Sequence, residues 1–175
     1  MKVEIYVYKD DRSCKDKLTK KEMEKILRVF CKENGVKQKH IFLNVTFCNR
    51  KSMVYLNKKT RNENHATNVL SYEPKNKSAL ENLIKNGFIN SEYCNSYVGD
   101  LVFCPEVVKE EAETLKISMK ERYYLLFTHG LCHLFGYDHK TPKEEKIMTE
   151  LEEKVLLHFG IKDPYWYNIY NVIEE

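Results

Sequence analysis

The chain has 175 residues, 42% of them hydrophobic and 31% charged, with only four prolines, a composition that suits one folded domain and excludes a long disordered polypeptide. At this size roughly two-thirds of the unfolded surface can be buried, so neither a metal nor a disulfide is needed merely to fold. Charge is unevenly placed: residues 1–87 hold 20 Lys or Arg against 10 Asp or Glu, residues 88–175 hold 9 against 16, and the total is +3.

No stretch approaches about 18 uncharged apolar residues, so no membrane span is expected. Met1 to Tyr8 alternates polar and apolar residues like a strand and lacks the continuous apolar run of a signal peptide. An intracellular, cytoplasmic and reducing setting is the expectation. Six cysteines, at 14, 31, 48, 94, 104 and 132, show no Cys-x-x-Cys spacing and read as scattered free thiols. The basic first half suits an anionic polymer or a plainly solvated surface.

In chain order, the first strand places Val3, Ile5 and Val7 on one face. Thr19-Lys20-Lys21-Glu22 is a capping box, Leu18 and Met23 form a hydrophobic staple, and Met23, Ile26, Leu27 and Phe30 give the following helix a buried stripe that stops at Gly35. Ile41 to Phe47 is β-branched and aromatic, which predicts a half-buried strand. Asn49 caps a short helix with Met53 and Leu56 inward, while Arg50, Lys51, Lys58, Lys59 and Arg61 collect positive charge on it. His65 to Tyr72 is a loop entering a short strand. Pro74, Gly87 and many Asn and Ser make 73–96 a loop with a short helix around Ala79 to Lys85.

Tyr97 to Cys104 reads as the last strand, and Pro105-Glu106 suits the first turn of a helix. Capping boxes at Ser118-Met119-Lys120-Glu121 and Thr141-Pro142-Lys143-Glu144 open two more helices. The first has Tyr124, Leu125, Phe127, Leu131 and Leu134 as its apolar body and ends at Gly136. The second has Ile147, Met148, Leu151 and Val155 inward and ends at Gly160. Four strands, mostly early, and about five helices, mostly late, predict a single α+β layered domain over 1–175 with the strand order open.

The chemistry concentrates in His129-Gly130-Leu131-Cys132-His133-Leu134-Phe135-Gly136-Tyr137-Asp138-His139. Histidines four apart on a helix share a face, and a turn at Gly136 lets His139 return as a third nitrogen ligand. Three imidazoles suit Zn2+, with another divalent transition metal as the alternative, and leave one tetrahedral position for a water or substrate oxygen. Such a site points to hydrolysis. Packed or surface histidines without a metal are the bland alternative. The spacing matches metzincin-type (zincin-like) metallopeptidases, but Gly130 stands where their general-base Glu belongs. Cys132 is turned away toward the core, and Asp138 can orient an imidazole, accept a proton or cap local amides. A phosphodiester substrate also needs a cation. Arg61, with its bidentate fork, is the leading candidate, the alternative being an exposed arginine outside the site.

The eleven residues from His129 strongly resemble the HGxLHLxGYDH motif of the YbeY-type endoribonucleases, the ribosomal RNA maturation factors, with Cys132 in place of Leu. Leu56-Asn57-Lys58-Lys59-Thr60-Arg61, Thr67-Asn68-Val69-Leu70-Ser71-Tyr72, Val98-Gly99-Asp100-Leu101-Val102 and Asp163-Pro164-Tyr165 resemble further segments of that family in the same order. The resemblance implies a small central mixed sheet of about four strands packed with about five helices, and a metal in a cleft between sheet and helices. It implies metal-ligand roles for His129, His133 and His139 and a substrate-side catalytic role for Arg61. It also implies cleavage of single-stranded RNA in ribosomal RNA processing, 16S rRNA 3′ end maturation and ribosome quality control, with ribosomal RNA and the small subunit or its proteins as partners. Thr60, Glu63-Asn64 and Ala66 depart from the family around Arg61. The rival readings are a metallopeptidase and a largely non-catalytic ribosome assembly factor with a structural metal. Tyr165-Trp166-Tyr167 suits a tail packed on the domain, or base stacking.

Overall fold

The alternating amino terminus and the β-branched run after residue 40 form strands that pair with each other. In the computed structural model, which describes residues 1–9, 18–74 and 96–165, β1 (Lys2–Lys9), β2 (His40–Phe47), β3 (Val69–Tyr72) and β4 (Tyr97–Phe103) make one sheet ordered β1-β2-β4-β3. β1, β2 and β4 run parallel and β3 lies antiparallel to β4, so the sheet is mixed. Among the described residues there are five helices: α1 (Lys20–Glu33), α2 (Arg50–Arg61), α3 (Pro105–Leu115), α4 (Met119–Leu134) and α5 (Pro142–Leu157). The short helix expected around Ala79 to Lys85 lies outside the described residues.

Three helices start from the expected capping boxes. The side chains of Thr19, Ser118 and Thr141 accept the backbone N–H three residues on, and Glu22, Glu121 and Glu144 accept the N–H of the cap in return, so otherwise orphaned donors are satisfied in pairs. Asn49 caps α2 by accepting the N–H of Ser52 at 2.9 Å.

Because side chains alternate across a strand, Val3, Ile5, Leu43, Val45, Leu101 and Phe103 share one buried face of the sheet, in one core with residues of α1, α4 and α5. On the other face α2 covers β3 and β4, with Met53 clustered with Leu70 and Val102. The result is three layers, helices on either side of the sheet. β2 is half-buried as expected: Ile41, Leu43, Val45 and Phe47 are buried on one face, while on the other His40, Asn44 and Thr46 are partly exposed and Phe42 is covered by stacking on Tyr97 at 5.1 Å and by the edge-on Tyr6 ring at 5.8 Å.

One sequence expectation fails on α5. Ile147 is 45% exposed, because the inner stripe is Met148, Leu151, Glu152, Val155 and Leu156, and Ile147 sits one step, about 100°, from its neighbour Met148. Glu152 therefore stands on an apolar face and is only 1% exposed. Cys31, Cys48, Cys104 and Cys132 are buried and outside any disulfide; burial pushes Cys31 up to about 12 and raises Cys132 as well. Among the described residues no helix is long and apolar enough to cross a membrane.

Candidate metal centre

α4 brings His129 and His133 to one face, one turn apart, and it packs close to the sheet. Gly130 permits that approach: a Cβ there would meet Leu101 Cδ2 at 2.7 Å and Ser71 Oγ at 3.3 Å. At the end of the helix Gly136 adopts φ +88°, a left-handed conformation open to glycine at little cost. The N–H groups of Gly136 and Tyr137 return to the carbonyls of His133 and Cys132, each at 3.0 Å. The Tyr137 carbonyl then accepts from His133 Nδ1 at 3.1 Å, and its hydroxyl donates to Asn34 Oδ1 beyond α1 at 2.6 Å. Asp138 takes the capping role among those open to it, since its Oδ1 accepts the N–H of His139 at 2.9 Å while its Oδ2 pairs with Lys140 at 2.6 Å. That pairing comes first among the causes that hold Asp138 below the usual carboxylate range.

The turn closes the trio. Ring centroids are 4.7 Å apart for His129 and His133, 5.5 Å for His129 and His139, and 5.2 Å for His133 and His139. One nitrogen from each ring lies within 4.8 Å of the others. Hydrogen-bond partners assign two tautomers. His129 Nδ1 lies 2.9 Å from Glu152 Oε1, and His133 Nδ1 faces the Tyr137 carbonyl; carboxylate and carbonyl oxygens only accept, so both Nδ1 atoms carry the proton. The Nε2 atoms of these two rings, 3.1 Å apart, then present lone pairs to each other. That contact is repulsive between neutral rings and becomes favourable around a cation. Two imidazole nitrogens held tetrahedrally at about 2.0–2.1 Å from an ion stand about 3.3 Å apart, so the donor set fits a metal. Burial, aided by His129 and His139, lowers the pKa of His133, which keeps its lone pair available near neutral pH.

Two cavities flank the imidazoles. A cleft of about 250 Å³ is lined by His133, Asp138, Ser71 and Arg61, the last from the final turn of α2. A larger cavity of about 540 Å³ is lined by His129, His139, Asn68, Glu152 and Tyr165. The fold thus places Arg61 and His133 on one cleft. The other basic residues of α2 are less uniform than their sequence clustering implies: Arg50 pairs with Glu110 at 2.5 Å and Glu106 at 3.6 Å, whereas Lys58 and Lys59 are exposed. Buried Asn57 donates its amide to the His65 carbonyl at 2.9 Å, tying the chain after Arg61 back to α2.

Sequence reasoning misses Glu152. Its one local signal is an acid on an apolar helical stripe, four residues after Met148, where solvation would be lost. Tyr165 packs partly buried against the core and its hydroxyl donates to Glu152 Oε2, which favours the packed reading over base stacking for this residue. Trp166 and Tyr167 lie outside the described residues.

A mixed sheet overlaid by a helix whose two histidines meet a third from the following turn defines an α+β domain with a three-imidazole, metal-type site. A family model described as Endoribonuclease YbeY matches residues 4–160. The chain belongs to that family, whose activity is endonucleolytic cleavage of RNA. It is similar to the Endoribonuclease YbeY of Francisella tularensis subsp. novicida (strain U112), 32% identical over 126 residues that cover 72% of each chain. It is also similar to that of Buchnera aphidicola subsp. Schizaphis graminum, 31% identical over 131 residues, 74% of this chain and 75% of the relative. The solution structure of TM1509 from Thermotoga maritima shares the fold, with TM-score 0.50 and 18% identity over 92% of this chain and 95% of that one.

Proposed function

We propose that this chain is a metal-dependent endoribonuclease that hydrolyses phosphodiester bonds of single-stranded RNA in ribosomal RNA processing, including 16S rRNA 3′ end maturation and ribosome quality control. The observation that carries this reading is the convergence of the His129 and His133 Nε2 atoms at 3.1 Å, beside a cleft that also holds Arg61. His129, His133 and His139 would hold one divalent ion, with zinc preferred because three imidazoles suit it. Such an ion supplies Lewis-acid polarisation of a phosphoryl oxygen and favours the attacking oxygen in its deprotonated form at neutral pH.

The protein's own groups do the rest. Arg61 takes the scissile phosphate with its planar fork and offsets the charge that grows on the phosphoryl oxygens. Glu152 and the Tyr137 carbonyl orient two of the rings, so little rearrangement is required when substrate arrives. Lys58 and Lys59 extend the positive surface along α2 for the flanking backbone. The setting is cytoplasmic, with ribosomal RNA as substrate and the small ribosomal subunit or its proteins as partners.

A peptidase reading is disfavoured on geometry as well as chemistry. The position of the peptidase base is Gly130, and a side chain there would run into Leu101 and Ser71.

The test is elemental analysis of natively purified protein, followed by cleavage of a defined single-stranded RNA before and after chelation. Cleavage should vanish with the metal and return with Zn2+; equally fast cleavage by metal-free protein would defeat the reading. Mapping the product ends separates attack by water, the preferred route, from attack by a ribose 2′-hydroxyl, which leaves a cyclic phosphate.

A further inference from the structure

The carboxylate of Glu152 is an unusual thing to bury. It projects from the apolar stripe of α5, is 1% exposed, and has both oxygens engaged by side chains from elsewhere. Oε1 takes the Nδ1 proton of His129 on α4 at 2.9 Å, and Oε2 takes the hydroxyl proton of Tyr165, which follows α5. A buried carboxylate is costly unless its lone pairs are filled and its charge is answered. Each oxygen thus accepts one donor. The charge would be answered through the ring, because a cation held by the far nitrogen of His129 would make the Nδ1 proton a stronger donor, and the carboxylate would make Nε2 a stronger ligand.

We propose that Tyr165 and Glu152 are positioning residues of the metal centre, forming a Tyr165–Glu152–His129 chain through which the segment after α5 sets the orientation and ligand strength of His129. The proposal rests on the reading that the three imidazoles hold a metal ion, and it is independent of what the loaded protein cleaves. Tyr165 fixes the Glu152 rotamer, and Glu152 fixes the ring of His129 with its Nε2 toward His133 and His139. Tyr137 serves His133 in a parallel way through its carbonyl, whereas His139 depends on the Asp138 turn, whose Oδ1 accepts its N–H. His133 and His139 are therefore held by one turn, at Tyr137 and Asp138, and His129 by α5 and the segment that follows it. Asp163-Pro164-Tyr165 gains a physical reason: its tyrosine is the outer end of the chain that reaches the metal ligand.

The experiment uses the full-length protein, titrated with Zn2+ against a chromogenic chelator and, separately, loaded with Co2+ for its visible absorption. Glu152→Gln keeps a group able to accept from His129 but removes the charge; Tyr165→Phe keeps the ring and removes the hydroxyl. Loss of an outer hydrogen-bond partner typically costs 10–100-fold in metal affinity. Glu152→Gln should lose about that much and shift the Co2+ bands, and Tyr165→Phe should lose a smaller factor in the same direction. Thermal unfolding of the metal-free proteins supplies the structural control. Metal affinity and Co2+ spectra unchanged in both variants, whatever happens to melting, would overturn the proposal. If Glu152→Gln does not fold, Tyr165→Phe decides by the same criterion. A parent protein that binds neither metal would remove this proposal and the metal reading together. A parent that binds metal without cutting RNA would remove the nuclease reading and leave this one standing.

Discussion

Arg61 and His133 line the same cleft but do different work, and single substitutions separate them. His133→Ala removes one of the three imidazoles and is expected to lose metal and RNA cleavage together. Arg61→Glu leaves the imidazoles intact, so metal content should stay at the parent level while cleavage falls by about 10²–10³, the range for removing one charge-stabilising donor. Metal analysis and initial rates on one RNA substrate check both. Gly130 is a third residue with a sharp consequence. In Gly130→Ala the methyl meets Leu101 and Ser71; overpacking of this kind costs about 1–3 kcal/mol against about 1 kcal/mol of helix propensity gained, so denaturant unfolding should show a net loss of up to about 2 kcal/mol. A stability equal to the parent's would mean that α4 sits less tightly on the sheet than described.

Helix α5 shows how an element serves the site from a distance. Its capping box sets where the helix begins, and hence the angular position at which Glu152 meets His129. Thr141 accepts the Glu144 N–H at 3.3 Å and Glu144 accepts the Thr141 N–H at 3.0 Å. Thr141→Ala is expected to cost about 1 kcal/mol of stability, read from the shift of the urea midpoint at constant slope. β3 and β4 bear on the site in another way. Gly99, at φ +141°, lets the Tyr72 carbonyl come so near that a Cβ would stand 2.4 Å from it. That close approach lies within the antiparallel β3–β4 pair from which Ser71 lines the cleft.

At the scale of the whole molecule, α1 and α4 are joined by the ion pair of Glu22 and Lys120 at 2.8 Å. Partial burial raises the Glu22 carboxyl, but Lys120 and the Thr19 hydrogen bonds outweigh it and bring it to about 2, against an ordinary 4.5. A carboxyl depressed in the folded state stabilises the fold fully above its unfolded value and loses that contribution as the pH falls through its folded one. The contribution of Glu22 is therefore complete above about pH 4.5 and fades between 4.5 and 2. Glu22→Gln should lower stability at pH 7 and flatten this part of the acid limb, as denaturant unfolding across that range would reveal; an unaltered limb would sink the assignment. Metal removal acts differently. The core contains Phe30, Phe47, Phe103 and Phe127 with no exposure, so the stripped protein should stay folded with a lower melting temperature, by the mass-action linkage of a ligand to the native state.

Local sequence by itself determined the parts whose physics is local. Capping boxes at Thr19, Ser118 and Thr141, the i,i+4 spacing of His129 and His133, and a glycine able to reverse the chain before His139 are each complete within a dozen residues, so periodicity and residue chemistry suffice to read them. Arg61 is a candidate on residue chemistry, for its charge and planar fork, and the family resemblance implies its role beside the histidines; sequence spacing does not link it to them. Tertiary structure alone decided the strand order, the exposure of Ile147, the pairing that takes Arg50 out of the basic cluster, and the support behind the imidazoles. Tyr137 bonds a partner 103 residues away and Glu152 one 23 residues away. Such pairs depend on how helices rotate and stack on the sheet, a balance of packing over the whole core that local hydrophobic periods do not encode.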